Sequence, residues 1–138
     1  MSPEQIIQAA RLALETPFRH QGRLVGIALD CAGLIVHVAQ SIGAEVRDQG
    51  GYAQLPGGGL LESALDDQPC LVRVSDMQAG DVLLMRFAGD PQHLGIYTGE
   101  SLIHAYQPIG KVCEHLLSPE WARRIVRVYR FRGMTDGQ

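Results

Sequence analysis

A cysteine at the start of a predicted helix is the feature that most constrains the fold of this chain. Asp30 has the side chain of a good helix N-cap, and an apolar stripe at helical spacing runs from Leu34 to Ile42. Cys31 therefore lies in the first turn, where unpaired backbone N–H groups and the positive end of the helix dipole favour a thiolate. We expect this thiol to have a lowered pKa and to be reactive.

Two downstream segments have the pattern of a β-hairpin and carry one histidine each. One begins at His93, the other contains His104, and a turn at Gly99 and Glu100 separates them. A loop symmetric about that turn pairs residues whose numbers sum to 199, so Gly95 lies opposite His104. His93 and His104 are then diagonal neighbours on one face. Because Gly95 has no side chain, we expect the two rings to meet.

This cysteine and these two histidines match the requirements of a thiol nucleophile with its base and orienter. Cys31 would attack a carbonyl carbon, His93 would take its proton, and His104 would hold the His93 ring in one tautomer. The backbone N–H of Cys31 is the expected first oxyanion donor.

Metal binding is the alternative interpretation of these residues. Cys31, His93 and His104 could hold zinc, although zinc usually takes its ligands from closely spaced pairs. The run Cys113-Glu114-His115 resembles half of a metal site, without a second half in the sequence pattern. We therefore predict neither a metal nor a cofactor.

The order of predicted elements favours an α+β fold in a single domain of residues 1–138. Helices are predicted first, and antiparallel strands that can pack against them follow. The predicted helices cover residues 2–14, 30–42 and 60–66, and the predicted strands cover residues 71–74, 81–87, 93–98, 101–106 and 124–131.

Composition argues against several classes of protein. A net charge of −3 offers no basic surface for nucleic acid or an anionic membrane. Cys31, Cys70 and Cys113 are odd in number and far apart, which argues against a disulfide framework. The first residues lack the pattern of a signal peptide, and no apolar run approaches the roughly 20 residues of a membrane span. We expect a protein made in the cytoplasm.

At these residues the chain resembles the NlpC/p60 family of bacterial cell-wall peptidases, a compact branch of the papain-like cysteine peptidases. The matching segments are residues 16–19, 30–34, 79–82, 93–97 and 103–105. The resemblance implies a central antiparallel sheet with N-terminal helices and the nucleophile helix packed on it, and a Cys-His-His triad. It also implies that the substrate is a peptidoglycan stem peptide, cut typically between D-glutamate and diaminopimelate.

Two positions depart from the family pattern. Ala32 follows the nucleophile where the family usually has serine, and Phe18 stands where the family commonly has a tyrosine whose hydroxyl assists the oxyanion. His20, Gln21 or Tyr52 could supply that donor instead. The candidates for substrate binding or oxyanion stabilisation are Phe18, His20, Asp30 and Tyr52.

The segment of residues 17–23 is similar to that of compact family members associated with phage tails and prophages. This resemblance implies a wall hydrolase with phage tail proteins as partners, present in the virion or delivered to the cell wall. Two alternatives stay open: a thiol acyltransferase of related fold, which normally carries a membrane anchor, and a catalytically weak structural module of the tail tip. Phe18 and Ala32 favour the structural module.

Overall fold

The structure is a computed structural model that describes residues 2–48, 59–89 and 91–133. The helices are α1 (Pro3–Leu12), α2 (Cys31–Ser41), α3 (Leu60–Asp66) and α4 (Pro119–Ala122). The strands are β1 (Arg23–Leu24), β2 (Ala28–Leu29), β3 (Leu71–Val74), β4 (Val82–Met85), β5 (His93–Tyr97), β6 (Ser101–Tyr106), β7 (Lys111–Leu116) and β8 (Ile125–Phe131). None of these helices is long and apolar enough to cross a membrane.

Six of the strands form one antiparallel sheet in the order β3-β8-β4-β5-β6-β7. One face of the sheet carries the main hydrophobic core, in which Ile96 and Ile103 pack with residues of α1 and α2. The other face carries a smaller cluster in which Leu102 packs with Trp121 of α4. The predicted α+β class is confirmed.

Helix α1 begins with the capping box that its sequence predicts. The Ser2 hydroxyl accepts a hydrogen bond from the Gln5 N–H at 3.3 Å, and the Gln5 side chain accepts one from the Ser2 N–H at 2.9 Å. Pro3 occupies the first helical position, where its missing N–H costs nothing. The helix ends at Leu12, two residues before the predicted end.

Helix α2 begins at Cys31, as predicted, because Asp30 caps it. The Asp30 carboxylate accepts a hydrogen bond from the Gly33 N–H at 2.7 Å. Gly33 also lets the preceding loop approach closely, since a Cβ at this position would lie 2.1 Å from the Gly22 carbonyl oxygen. The loop of residues 17–29 is therefore seated directly against the first turn of α2.

The hairpin of β5 and β6 has the predicted register. Ile96 pairs with Ile103 and Tyr97 with Leu102, so the paired numbers sum to 199. A Cβ built on Gly95 would lie 3.3 Å from the Cβ of His104 and 2.4 Å from a methyl group of Leu102. Gly95 therefore faces His104, and a side chain at this position would crowd both Leu102 and His104.

Strand β7 and helix α4 are two elements that the sequence does not predict. In β7, Cys113 lies opposite His104 and His115 lies opposite Leu102. Because side chains alternate between the two faces of a strand, Cys113 and His115 share the face of His104. The predicted strand at residues 81–87 is also shorter than expected, since β4 spans only Val82–Met85.

Candidate active site

One cavity of about 380 Å³ brings Cys31 and His93 together. Helix α2 supplies Cys31 at its first position, and β5 supplies His93 at its first position. The cavity opens at this end of the sheet, because Ala105 and Tyr106, which point to opposite faces of β6, both line it. The remaining lining side chains include Phe18, His20, Asp30, Phe87, Gln92 and Arg124.

The sulfur of Cys31 lies beside the backbone of the predicted base. It accepts hydrogen bonds from the backbone N–H groups of Leu94, the neighbour of His93, and of Ala32. Burial, followed by the negative charge of Asp30, nevertheless raises the pKa of the Cys31 thiol to about 12. The expectation of a lowered thiol pKa is therefore wrong, because desolvation outweighs the helix N-terminus.

Three histidine rings form a continuous hydrogen-bonded chain behind Cys31. The His93 Nε2 lies 2.6 Å from the His104 Nδ1, as the hairpin register predicts. The His104 Nε2 lies 2.9 Å from the Nε2 of His115, a residue that the sequence pattern placed in half of a metal site and not in the triad. The chain ends at the Leu116 carbonyl oxygen, 2.9 Å from the His115 Nδ1.

The end of this chain determines the tautomer of every ring in it. A carbonyl oxygen only accepts, so the His115 Nδ1 must carry a proton, and a neutral ring then has an acceptor at Nε2. The His104 Nε2 must therefore donate, which leaves its Nδ1 as the acceptor for the His93 Nε2–H. The lone pair of the His93 Nδ1 remains, and this is the nitrogen that can take a thiol proton.

Burial keeps the first two rings neutral. It lowers the pKa of His93, and the positive charge of Arg124 acts in the same direction. Burial also lowers the pKa of His104, with smaller effects from the neighbouring histidines. Aromatic side chains provide this dry environment: Tyr106 stacks on His104 with ring centroids 5.1 Å apart, and Trp121 contacts the same ring edge-on at 5.0 Å.

Three of the four other predicted site residues line the cavity, and the fourth lies outside the described residues. Phe18 and His20 line the cavity with Cys31, but the Phe18 ring has no hydrogen-bond donor. Asp30 also lines the cavity, but as an acceptor for the Gly33 and Gln21 N–H groups and for Arg23. In these contacts its carboxylate only accepts hydrogen bonds, and its part in substrate binding or oxyanion stabilisation stays a prediction. Tyr52 lies outside the described residues.

A group of three metal-ligating side chains lies at the far end of the histidine chain. His104, Cys113 and His115 each offer one ligand atom, and these atoms lie within 4.8 Å of one another. Cys113 and His115 are the half-site visible in the sequence, and His104 of the adjacent strand completes it. Over the described residues, Cys31, His93 and His104 do not form such a group.

Arg124 lines the cavity and is another residue that sequence reasoning missed. Its guanidinium lies 4.6 Å from the centroid of the Trp121 ring and 5.1 Å from that of Phe87. Contacts with these two rings and an ion pair with Glu120 at 3.5 Å hold this cation at the cavity wall. The only signal in the sequence was its position at the start of the last predicted strand.

Comparison with known proteins agrees with this architecture. The sequence model of the NlpC/P60 family matches residues 15–130. The chain belongs to the NlpC/P60 family. No curated protein matches it in a sequence search.

Solved structures of three other proteins share the fold. The NlpC/p60 domain of the peptidoglycan hydrolase SagA is 23% identical with a TM-score of 0.65, and the match covers 93% of this chain and 97% of that domain. A Bacillus cereus NlpC/P60 family protein is 19% identical with a TM-score of 0.69, over 95% of this chain. The peptidoglycan hydrolase RipB of Mycobacterium tuberculosis is 16% identical with a TM-score of 0.65, over 93% of this chain. This chain spans about 40% of the B. cereus protein and 63% of RipB. The papain-like α+β fold is thereby confirmed.

Proposed function

We propose that this NlpC/P60 protein is a cysteine peptidase that hydrolyses an amide bond in peptidoglycan stem peptides. The observation that carries the proposal is the cavity in which Cys31 meets His93, with the His93 ring held by His104 and His115 in the tautomer that leaves Nδ1 free of a proton. The structural similarity to two peptidoglycan hydrolases, SagA and RipB, supports the choice of substrate.

The reaction proceeds in two halves through a thioester. The Cys31 sulfur attacks the amide carbonyl carbon while its proton passes to the His93 Nδ1, and the carbonyl oxygen becomes an oxyanion. The backbone N–H of Cys31, at the first position of α2, is the proposed donor to that oxyanion. His93 then protonates the leaving amine. Water, deprotonated by His93, hydrolyses the thioester, which releases the new carboxyl group and restores the thiol.

His104 and His115 act in this scheme by orienting His93. When His93 takes the thiol proton, its Nε2–H still donates to the His104 Nδ1 at 2.6 Å, so the imidazolium keeps its partner. The high pKa of the isolated Cys31 thiol makes this transfer necessary, because ionisation to water is unfavourable in the buried site.

Arg124 supports a substrate that carries a carboxylate. A guanidinium fixed at the cavity wall attracts an anionic group and can bind it with two parallel hydrogen bonds. Stem peptides offer such groups next to their amide bonds. We propose that the bond cut is the one between D-glutamate and diaminopimelate, with a stem-peptide carboxylate bound by Arg124.

Incubation with purified muropeptides, followed by mass spectrometry of the products, tests this proposal. We expect the wild type to release the D-glutamyl fragment and His93→Ala to release none, because the proposed acceptor of the thiol proton is then missing. His104→Ala should retain a weak rate, since the base remains but its orientation is lost. Cys70→Ala is the matched control for Cys31→Ala, because Cys70 lies outside the cavity that holds Cys31.

The same assay separates the proposal from its alternatives. Full activity of His93→Ala would contradict the assignment of the base. A structural module would release no product from any muropeptide, and an acyltransferase would join the acyl group to an added acceptor instead of to water.

We also propose that the enzyme is made in the cytoplasm and reaches the wall as part of a phage tail. The similarity of residues 17–23 to tail-associated family members supports this proposal. Mass spectrometry of purified virions from a producing strain would detect the chain among the tail proteins if the proposal is correct, and its absence there would contradict it.

A further inference from the structure

The cluster of His104, Cys113 and His115 has the donor set of a zinc site. Thiolate sulfur and imidazole nitrogen are the ligands that zinc prefers, and three of them lie here within 4.8 Å of one another. Antiparallel pairing of β6 and β7 holds them in place, since Cys113 lies opposite His104 and His115 follows two positions later on the same face.

Zinc binding requires the two histidine nitrogens to separate, and it requires ligand atoms that lie up to 4.8 Å apart to approach each other. Zinc bonds of about 2.0–2.1 Å to nitrogen and 2.3 Å to sulfur place tetrahedral ligand atoms about 3.4–3.6 Å apart. The His104 Nε2 and His115 Nε2 are 2.9 Å apart, so they must separate by roughly 0.5 Å as the ion replaces the hydrogen bond between them. Cys113 and His115 are half-buried, which leaves a path for the ion from solvent.

His115 already makes the hydrogen bond that commonly orients a metal-bound histidine. Metal-bound histidines commonly donate their second N–H to a carbonyl or carboxylate. The His115 Nδ1 donates to the Leu116 carbonyl oxygen at 2.9 Å, which directs the Nε2 lone pair toward His104 and Cys113.

We propose that His104, Cys113 and His115 bind a zinc ion, and that this ion switches off the hydrolase. The inhibition, unlike the binding, rests on the function proposed above. His104 belongs to both the zinc site and the catalytic chain, so the ion and the active tautomer of His93 exclude each other.

Zinc and the active tautomer of His93 exclude each other because the ion changes which ring nitrogen carries each proton. Zinc takes the lone pairs of His104 Nε2 and His115 Nε2, and Cys113 releases its thiol proton to solvent. The proton of His104 must then lie on Nδ1, from which it donates to the His93 Nε2. The proton of His93 must then move from Nε2 to Nδ1, the nitrogen that must accept from Cys31. No proton is gained or lost by the three rings, but the base is blocked.

Metal titration of the purified, chelator-treated chain tests the site without any assay of activity. We expect one Zn²⁺ per chain by calorimetry, and one Co²⁺ that shows the absorption band of a cobalt–thiolate bond. Cys113→Ser should weaken binding by about 100-fold or more, since even outer-shell changes cost about 10–100-fold. Cys31→Ser is the matched control and should bind like the wild type.

Two results would overturn the site. They are the lack of stoichiometric binding by the wild type, and a loss of affinity in Cys31→Ser as large as that in Cys113→Ser. Cys113→Ala, checked for a native circular dichroism spectrum, serves as a second variant if Cys113→Ser does not fold.

Muropeptide hydrolysis then tests the switch. Zinc at a concentration that fills the site should abolish wild-type turnover, a chelator should restore it, and Cys113→Ser should keep its chelated rate when the same zinc is added. Equal inhibition of Cys113→Ser would overturn the switch. Stoichiometric zinc binding by a chain that hydrolyses no muropeptide after chelation would instead contradict the proposed function and leave the metal site standing.

Discussion

Replacement of Asp30 by alanine tests how the loop of residues 17–29 is held against α2. One Asp30 oxygen accepts from the Gly33 N–H at 2.7 Å and from an Arg23 guanidinium nitrogen at 2.9 Å, and the other accepts from the Gln21 N–H at 2.8 Å. The Asp30 side chain is only 4% exposed, and that of Arg23 is 21% exposed. A single carboxylate therefore caps the helix, pairs with a cation and fixes the loop.

The expected loss of stability is larger than that of a helix cap. Loss of the cap alone costs about 0.5–2 kcal/mol, which is the value expected from the sequence. Removal of one partner from a buried ion pair costs about 3–5 kcal/mol. Arg23 retains Asp48, at 2.9 Å, and some contact with water, which reduces the second contribution. We expect Asp30→Ala to lower the free energy of unfolding by about 3–4 kcal/mol.

Asp48→Ala is the matched control, because Asp48 pairs with the same arginine but is 38% exposed. Exposed pairs contribute about 0–1 kcal/mol, so this variant should remain close to the wild type. Urea unfolding followed by circular dichroism gives both values, and a slope of about 1–3 kcal/mol per molar converts the loss in Asp30→Ala into a midpoint lower by at least about 1 M. Equal midpoints for the two variants would refute the assignment of Asp30 as the anchor of the loop.

Two further predictions concern the cavity. Because burial raises the pKa of the isolated Cys31 thiol to about 12, alkylation of Cys31 in His93→Ala should increase with pH through the whole range from 7 to 10, whereas the wild type should reach a plateau at lower pH. Peptide mass spectrometry measures both rates, and a plateau in His93→Ala would contradict a thiolate formed by transfer to His93. Phe18→Tyr should raise muropeptide turnover if an oxyanion donor is missing, since such a donor contributes about 2.7–4 kcal/mol in sites built around it. If the rate is unchanged, another group supplies that hydrogen bond, and His20→Ala should then lower it.

The nucleophile helix and the hairpin were predictable because local rules determine both. An aspartate cap followed by an apolar stripe gives the start of α2 at Cys31. A tight turn at Gly99 sets the register of β5 and β6, and the register sets the contact between His93 and His104. Each inference needed only residues that are neighbours along the chain or across one turn.

The last histidine and the thiol pKa were not predictable from such rules. The sequence of β7 contains several polar residues, including Glu114, and lacks the apolar alternation that predicts a strand. The structure nevertheless pairs β7 with β6 along its whole length. Without that pairing, His115 has no visible relation to His104. The pKa of Cys31 depends on burial by side chains from distant segments, and the helix N-terminus is only one local contribution to it.

The place of β8 in the sheet affects how the chain assembles during its synthesis. Strand β8 lies between β3 and β4, and β3 has no other partner among the described strands. The sheet therefore cannot form completely while the chain is being synthesised. Strands β3 and β4 are joined only by β8, which is the last of the six strands to leave the ribosome. Trp121 and Arg124, which flank the histidine chain and the cavity, immediately precede β8 and emerge equally late. The nascent chain thus carries its nucleophile helix long before it can carry a complete active site. A product truncated before β8 would leave β3 unpaired and one edge of β4 exposed, and both features favour aggregation.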